Sequence, residues 1–357
     1  MIELIKNKEQ FKALMKAVAA NYDDPQVRKA VAQAIQVPIL QLVRDESLAR
    51  QLFAVQVLDP GAQASYPIAD DFDVPVFVLP KVGAVPRNFV ELAGEEIVVP
   101  TFKIGTSCEW ALKYARDGRI DIAERCMRTA ARSVVDYEEE SAWRLLAPAA
   151  TSAFPGKGLL PARPAPIVEI AGGPAAGFFS KELVNQMIVK MKRTRRTLTD
   201  LYVSPEDMAD QREWSGSQVD DTTRREIFVS GGMDELWKVK LHEVHQLGMT
   251  GRYNINSNDS EGGLFKVGSG GQFNDYAPTD ANKVDANLNL VTAGETQIYG
   301  FDLTSDDSLV MPIREEMRFF DDPTLHREQL QGFYGWEELG IAVLDPRMIS
   351  MGIINRA

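Results

Sequence analysis

The chain has 357 residues, 45% hydrophobic and 25% charged, which excludes bulk disorder and a fibrous repeat and leaves room for two domains. It carries 39 basic against 51 acidic residues, a formal −12, so the chain as a whole is not a phosphate-gripping surface. Its two cysteines, Cys108 and Cys126, exclude a disulfide scaffold and a multi-cysteine metal site. No apolar run approaches the ~18 residues of a membrane span. The opening MIELIKNKEQ is charged from Glu3 onward, so no secretory signal is expected there.

Phe11, Leu14, Met15 and Val18 follow the i, i+3, i+4, i+7 spacing of a short amphipathic helix. Tyr22–Pro25 breaks it, and Val27, Val31 and Ile35 continue with helical spacing up to Pro38. This opening stretch is too thin to hold its own core and reads as an arm that packs on something else. From 54 to 104, Pro60, Pro67, Pro75, Pro80, Pro86 and Pro100 punctuate β-rich runs. Proline cannot donate to a sheet ladder, so the pattern predicts an extended two-stranded excursion instead of a central sheet. An isolated hairpin is marginal in water, so this one leans on a partner surface.

Phe102, Ile104, Cys108, Trp110, Leu112 and Tyr114 fall on alternate positions, with Lys103, Ser107, Glu109 and Lys113 between them, which predicts a half-buried strand turning helical at its end. Asp117-Gly118 is a turn signal and Asp121 a candidate N-cap. From Ile122 a helical pattern runs to Leu146 through Ala123, Cys126, Met127, Ala130, Val134, Tyr137, Ser141 and Leu145, stopping before Pro148. Its outer face reads as charged: Glu124, Arg125, Arg128, Arg132, Glu138, Glu139 and Glu140.

Residues 148–178, rich in Pro, Ala and Gly, mark a second boundary. Ser180 caps a helix with Leu183, Met187 and Met191 on one face and the basic run Lys190, Lys192, Arg193, Arg195, Arg196 at its end. Leu201–Val203 reads as a short strand. Ser204-Pro205-Glu206-Asp207 is a strong helix start: a hydroxyl cap, proline at the first position, acids in the first turn. Leu236–Val244 is strand-like, and 248–296 reads as loops with short strands. Strands return at Gln297–Leu303, Val310–Ile313, Phe333–Val343 and Met348–Ile354.

Chemical motifs are sparse. His242 and His245, three apart on a strand, point to opposite faces, which spoils chelation; His326 stands alone. The cysteines read as buried hydrophobes. Ala171–Gly177 and Gly268–Gly271 lack the spacings of phosphate loops and read as loops. Asp70, Asp71 and Asp73, and Asp321 and Asp322, read as solvated turns without calcium-loop spacing. The basic run is explained by the dipole at a helix C-terminus, with an acidic neighbour subunit or nucleic acid as further readings. No catalytic, cofactor-binding or metal-ligating residue emerges, and no enzyme is expected.

VPTFKIGTSCEW leading into IDIAERCMRTAARSVVDYEEESAWRLL, the strand-to-helix step LYVSPEDMADQREW and the closing GWEELGIAVLDPRMISMGI together resemble the major capsid protein of tailed bacteriophages, the Hong Kong 97-type fold, from about residue 30 to the end. The resemblance implies an α+β fold. It divides the chain into an N-terminal arm (1–57), an extended β-loop (58–100), a peripheral domain with a long spine helix (101–150), an axial domain (151–300) and return strands (301–357). It implies a head protein that self-assembles into homo-pentamers and homo-hexamers of an icosahedral shell around double-stranded DNA, without sequence-specific DNA binding. Scaffold, portal and decoration proteins would be partners, with no membrane and no cofactor. The location would be the virion, assembled in the host cytoplasm. Some family members begin with a cleavable scaffolding segment; the arm pattern starting at Met1 implies a separate scaffold or a mature chain. Others cross-link a lysine to an asparagine, for which Lys81 would be the candidate. An encapsulin-like nanocompartment shell is the alternative, sharing the fold but holding enzyme cargo.

Overall fold

The computed structural model describes residues 47–59, 61–67, 96–111, 113, 120–150, 166–169, 177–214, 225, 232–249, 251–254, 295–306, 308–328 and 330–356. The arm readings before residue 47, the middle of the β-loop and most of 248–296 lie outside them.

Ser47 caps a short helix, α1 (Leu48–Leu52), by accepting from the Arg50 N–H. Strand β1 (Ala54–Val57) follows. A two-stranded antiparallel ribbon joins β2 (Ser65–Pro67) to β3 (Glu96–Val98). Strand β4 (Phe102–Ala111) shows the expected alternation, with Ile104 and Trp110 buried and Lys103, Ser107 and Glu109 exposed. Helix α2 (Ile120–Ala150) has 31 residues and is about 46 Å long at 1.5 Å per residue. Two boundaries differ from the pattern. Asp121 lies inside the helix, so it is not the cap. The helix also continues past Pro148. A proline that close to the end removes a single ladder bond, and the buried Ala147, Ala149 and Ala150 hold the last turn in the core.

Strand β5 (Ile167–Glu169) precedes α3 (Lys181–Arg193), where Ser180 accepts from the Leu183 N–H and Leu183, Val184, Met187 and Met191 are buried. Strand β6 (Asp200–Val203) leads into α4 (Pro205–Arg212) through a full capping box: Ser204 Oγ accepts from the Asp207 N–H and Asp207 accepts from the Ser204 N–H. Leu236–Val244 is a hairpin, not one strand: β7 (Glu235–Leu236) and β8 (Val239–Glu243) meet at Trp237-Lys238, both with positive φ. Then come β9 (Glu295–Phe301), β10 (Leu309–Asp321), a 3₁₀ turn at Pro323–Glu328, β11 (Leu330–Leu339), β12 (Ala342–Val343), a 3₁₀ turn at Pro346–Met348 and β13 (Ile349–Asn355).

Two sheets result. One is ordered β1-β10-β11-β4, with β12 on β10; the other is β5-β13-β9-β6-β8-β7. The chain therefore leaves the second sheet at β9, builds most of the first with β10 and β11, and returns at β13. Residues 54–57, placed with the arm by the sequence, are a parallel edge strand on β10, with Ala54 opposite Val310 and Val57 opposite Ile313. Edge positions suit such a proline-flanked strand, because only one side needs ladder bonds.

One apolar cluster runs between the sheets. It joins Phe53, Trp143, Leu146, Tyr299, Phe301, Met311, Ile313 and Ile353. Trp143 is fully buried, stacked on Tyr253 at 5.5 Å and edge-on to Tyr299 at 5.0 Å. The far face of the second sheet is covered by α3 and α4, with Phe179, Met187, Leu201, Trp214 and Ile298. All seven residues of β9 are buried, as a strand covered on both faces requires. Gly300 is small for a packing reason: a Cβ there would run into Met187 of α3 and Leu198 just beyond it.

Candidate functional site

Two polar clamps stand out, one at α1 and one at the base of the β2–β3 ribbon. At α1, Arg50 reaches two fully buried carboxylates. Its Nη2 lies 2.5 Å from Glu138 of α2 and 3.0 Å from Glu337 of β11. Its Nε donates to Glu138 as well, at 3.0 Å. Ser47 Oγ donates to Glu138 at 2.7 Å, and the Leu48 N–H donates to Glu139 at 3.2 Å. A planar guanidinium fork suits two carboxylates better than an ammonium would.

This corrects the sequence pattern for the second half of α2. Glu138 and Glu140 face inward, while Tyr137, expected on the apolar face, is 40% exposed. The buried stripe runs through Ala131, Val134, Val135, Glu138, Ala142 and Trp143. Three or four residues separate neighbours on one helix face, and Glu138 occupies that face because Arg50 neutralises it.

Two carboxylates share one cation, so the cluster is short of positive charge. Glu337 Oε1 has no donor facing it. Burial, and then the neighbouring charge of Glu138, push the Glu337 carboxyl up to about 8, against the pull of Arg50. The proton that Glu337 retains supplies the missing donor, held against Glu138. Arg50 is held above its usual value: burial works against its charge, and the hydrogen bond and charge of Glu138 outweigh it. Glu337 holds its proton more tightly folded than unfolded. Its stabilising effect is therefore complete below pH 4.5, fades as pH rises, and is gone above about 8. Urea midpoints measured at pH 5.5, 7 and 9 should fall with rising pH, and Glu337→Gln should flatten that fall. An equally steep fall in the variant would contradict the assignment. The cluster is sealed from solvent, so its chemistry is proton holding, not turnover of a substrate.

At the ribbon root, the Tyr66 hydroxyl donates to Gln56 Oε1 at 2.8 Å and the Val99 N–H donates to the Ala64 carbonyl at 2.8 Å. Thr101 Oγ1 donates to Glu338 at 2.7 Å. Around this root the apolar surface is uncovered: Val57 is 66% exposed, and Val55 and Val98 are also exposed. In the second sheet, Trp237 is 53% exposed at the β7–β8 tip, where both turn residues adopt the left-handed backbone that favours glycine or asparagine.

The other singled-out residues fall as follows. His242 pairs with Asp200 at 2.8 Å and stacks on Tyr202, while His245 meets Glu243. Among the described residues no three His, Cys, Asp or Glu side chains converge on one point. Asp322 accepts from the Thr324 N–H and hydroxyl, closing a turn. Lys190 donates to the Ile167 carbonyl, and Arg196 pairs with Asp345 at 2.7 Å. Asp70, Asp71, Asp73, Lys81, Gly268–Gly271 and all of 171–177 except Gly177 lie outside the described residues. Among those described, no helix is long and apolar enough to cross a membrane.

The architecture has close counterparts. The capsid protein of cyanophage P-SCSP1u superposes with a TM-score of 0.55 at 12% identity, covering 85% of this chain and 87% of that one. The mature capsid protein of bacteriophage PhiM1 superposes at 0.53 with 11% identity, covering 87% and 88%. The chain has the Hong Kong 97-type phage capsid fold. No family model and no curated protein sequence matches it, so at this identity the capsid fold is carried by patterning and not by shared residues. Within this fold, the Arg50 clamp ties α1 to α2 and β11.

Proposed function

We propose that the protein is the major capsid protein of a tailed phage. In this reading it assembles into pentamers and hexamers of an icosahedral shell enclosing double-stranded DNA. The observation that carries it is the superposition of 85% and 87% of the chain on two phage capsid proteins. In this reading α2 is the spine of a peripheral domain, the six-stranded sheet is the axial domain, and the segment between β2 and β3 is the extended loop.

The physics of assembly follows from the roots. Heterologous interfaces that close a rotation make rings. A ribbon with three paired positions is marginal alone and gains burial on a neighbour. The exposed Val55, Val57 and Val98 offer an apolar seat, and the side of β1 away from β10, unpaired among the described residues, offers strand addition. Many modest contacts then act together in a closed shell. The formal −12 suits a wall that surrounds DNA without gripping it. Scaffold, portal and decoration proteins are the partners this reading suggests, with assembly in the host cytoplasm and residence in the virion.

Size-exclusion chromatography of the purified full chain tests the reading. The expected result is elution as megadalton rings or shells; a monomer or small oligomer under all assembly conditions tried would overturn it. Double-stranded DNA inside particles recovered from the natural host supports the phage reading. Enzyme cargo instead would point to an encapsulin-like nanocompartment.

A further inference from the structure

The two cysteines of the chain are brought together in three dimensions. Cys108 lies on the α2-facing side of β4, opposite Phe333 of β11, and Cys126 lies in the second turn of α2. Both are free, half-buried thiols within hydrogen-bonding contact of each other. They share the wall of one cleft between β4 and α2, with a volume of about 330 Å³, lined also by Thr106, Glu109, Arg125 and Thr129. Trp110 and Phe333, 5.5 Å apart, pack beside Cys108 on the same face of the sheet. The chain between the cysteines is the connection from β4 into α2.

We propose that Cys108 and Cys126 form a redox-closed staple, a modification site at which a small-molecule disulfide oxidises the pair to an intrachain disulfide. The step balances as two thiol–disulfide exchanges. The Cys126 thiolate attacks one sulfur of the reagent, forming a mixed disulfide and expelling one reagent thiolate. Cys108 then attacks the Cys126 sulfur, expelling the second. Two protein thiols become one disulfide, the reagent is reduced to two thiols, and the two protein protons end on those thiols. Burial pushes the Cys108 thiol well above its usual range, so Cys126 makes the first attack and Cys108 must give up its proton before the resolving step. The cleft gives the reagent a way in from solvent. In a reducing cytosol the pair stays open, and in oxidising surroundings it closes.

The staple ties the start of the longest helix to the sheet beneath it. It closes a loop of under twenty residues, so the expected shift in thermal unfolding is roughly +5 °C. The proposal is independent of the shell reading, because both thiols belong to one chain.

The test treats the purified full-length protein with oxidised glutathione and measures intact mass under denaturing, non-reducing conditions. The expected result is a fall of about 2 Da with both thiols lost to maleimide. A Cys108–Cys126 linked peptide should appear in the digest, and reductant should reverse it. Cys126→Ser and Cys108→Ser should each abolish the linkage and the thermal shift. Two thiols still free after treatment, stable glutathione adducts on both, or disulfides only between chains would overturn the proposal. The wild-type mass decides it even if a serine variant folds poorly.

Discussion

Arg50→Met should lower the stability of the subunit by about 3–5 kcal/mol, because it leaves the buried Glu138 and Glu337 pair with a net negative charge and no cation. Methionine fills a similar volume, so lost packing is a small part of the effect. The comparison that isolates the charge is the triple change Arg50→Met, Glu138→Gln, Glu337→Leu. It removes the buried charges together and should recover most of the loss. Urea unfolding at pH 7 measures both. A loss under about 1 kcal/mol for Arg50→Met would show that the cluster is solvated and that the clamp does not hold α1. The consequence reaches beyond stability: α1 touches α2 and β11 through Arg50, so its loss frees the segment that the proposed assembly needs in a fixed direction.

Trp143→Ala should cost about 3–5 kcal/mol as well, through the cavity it leaves. Trp143 is fully buried where α2 passes between the sheets, against Tyr253 and Tyr299. The apolar cluster containing it also holds Phe53 and Met311 of one half and Phe301 and Ile353 of the other. The loss should therefore uncouple the two halves and broaden thermal unfolding into two transitions. Trp143→Phe, which keeps an aromatic ring, should lose less. A single transition with an unchanged midpoint in Trp143→Ala would contradict the shared core. Tyr299 has a buried hydroxyl without a hydrogen-bond partner, so it depends on close packing.

The elements legible in the sequence were those whose signals are local. The alternation from Phe102 to Trp110 marks β4 because one face meets α2 and the other meets solvent. Ser204-Pro205-Glu206-Asp207 marks α4 because cap, proline and acid act within one turn. The clamp was hidden for the opposite reason. Glu138 finds its partner 88 residues away, and nothing in the helix pattern separates a paired glutamate from a solvated one. The full length of β10 was hidden too. Register shifts between Ile313 and Glu315 and between Glu315 and Arg318 break the two-residue period, so only Val310–Ile313 stood out. The hairpin at Trp237-Lys238 was missed because neither residue is a usual positive-φ residue. The meeting of Cys108 and Cys126 depends on how α2 crosses the sheet, which neither residue's own periodicity specifies.

The claim that this chain builds shells through segments shared with its neighbours is tested most directly by electron microscopy. Negative-stain images of the full-length protein would be set beside a variant in which residues 69–94 are replaced by Asn-Gly. Asn-Gly is a turn that closes a hairpin and so keeps β2 paired to β3. The expected result is closed, even-sized shells for the full chain, and a folded, soluble subunit without shells for the variant. Normal shells from the variant would contradict the role given to the loop, and small oligomers alone from the full chain would contradict the capsid function itself.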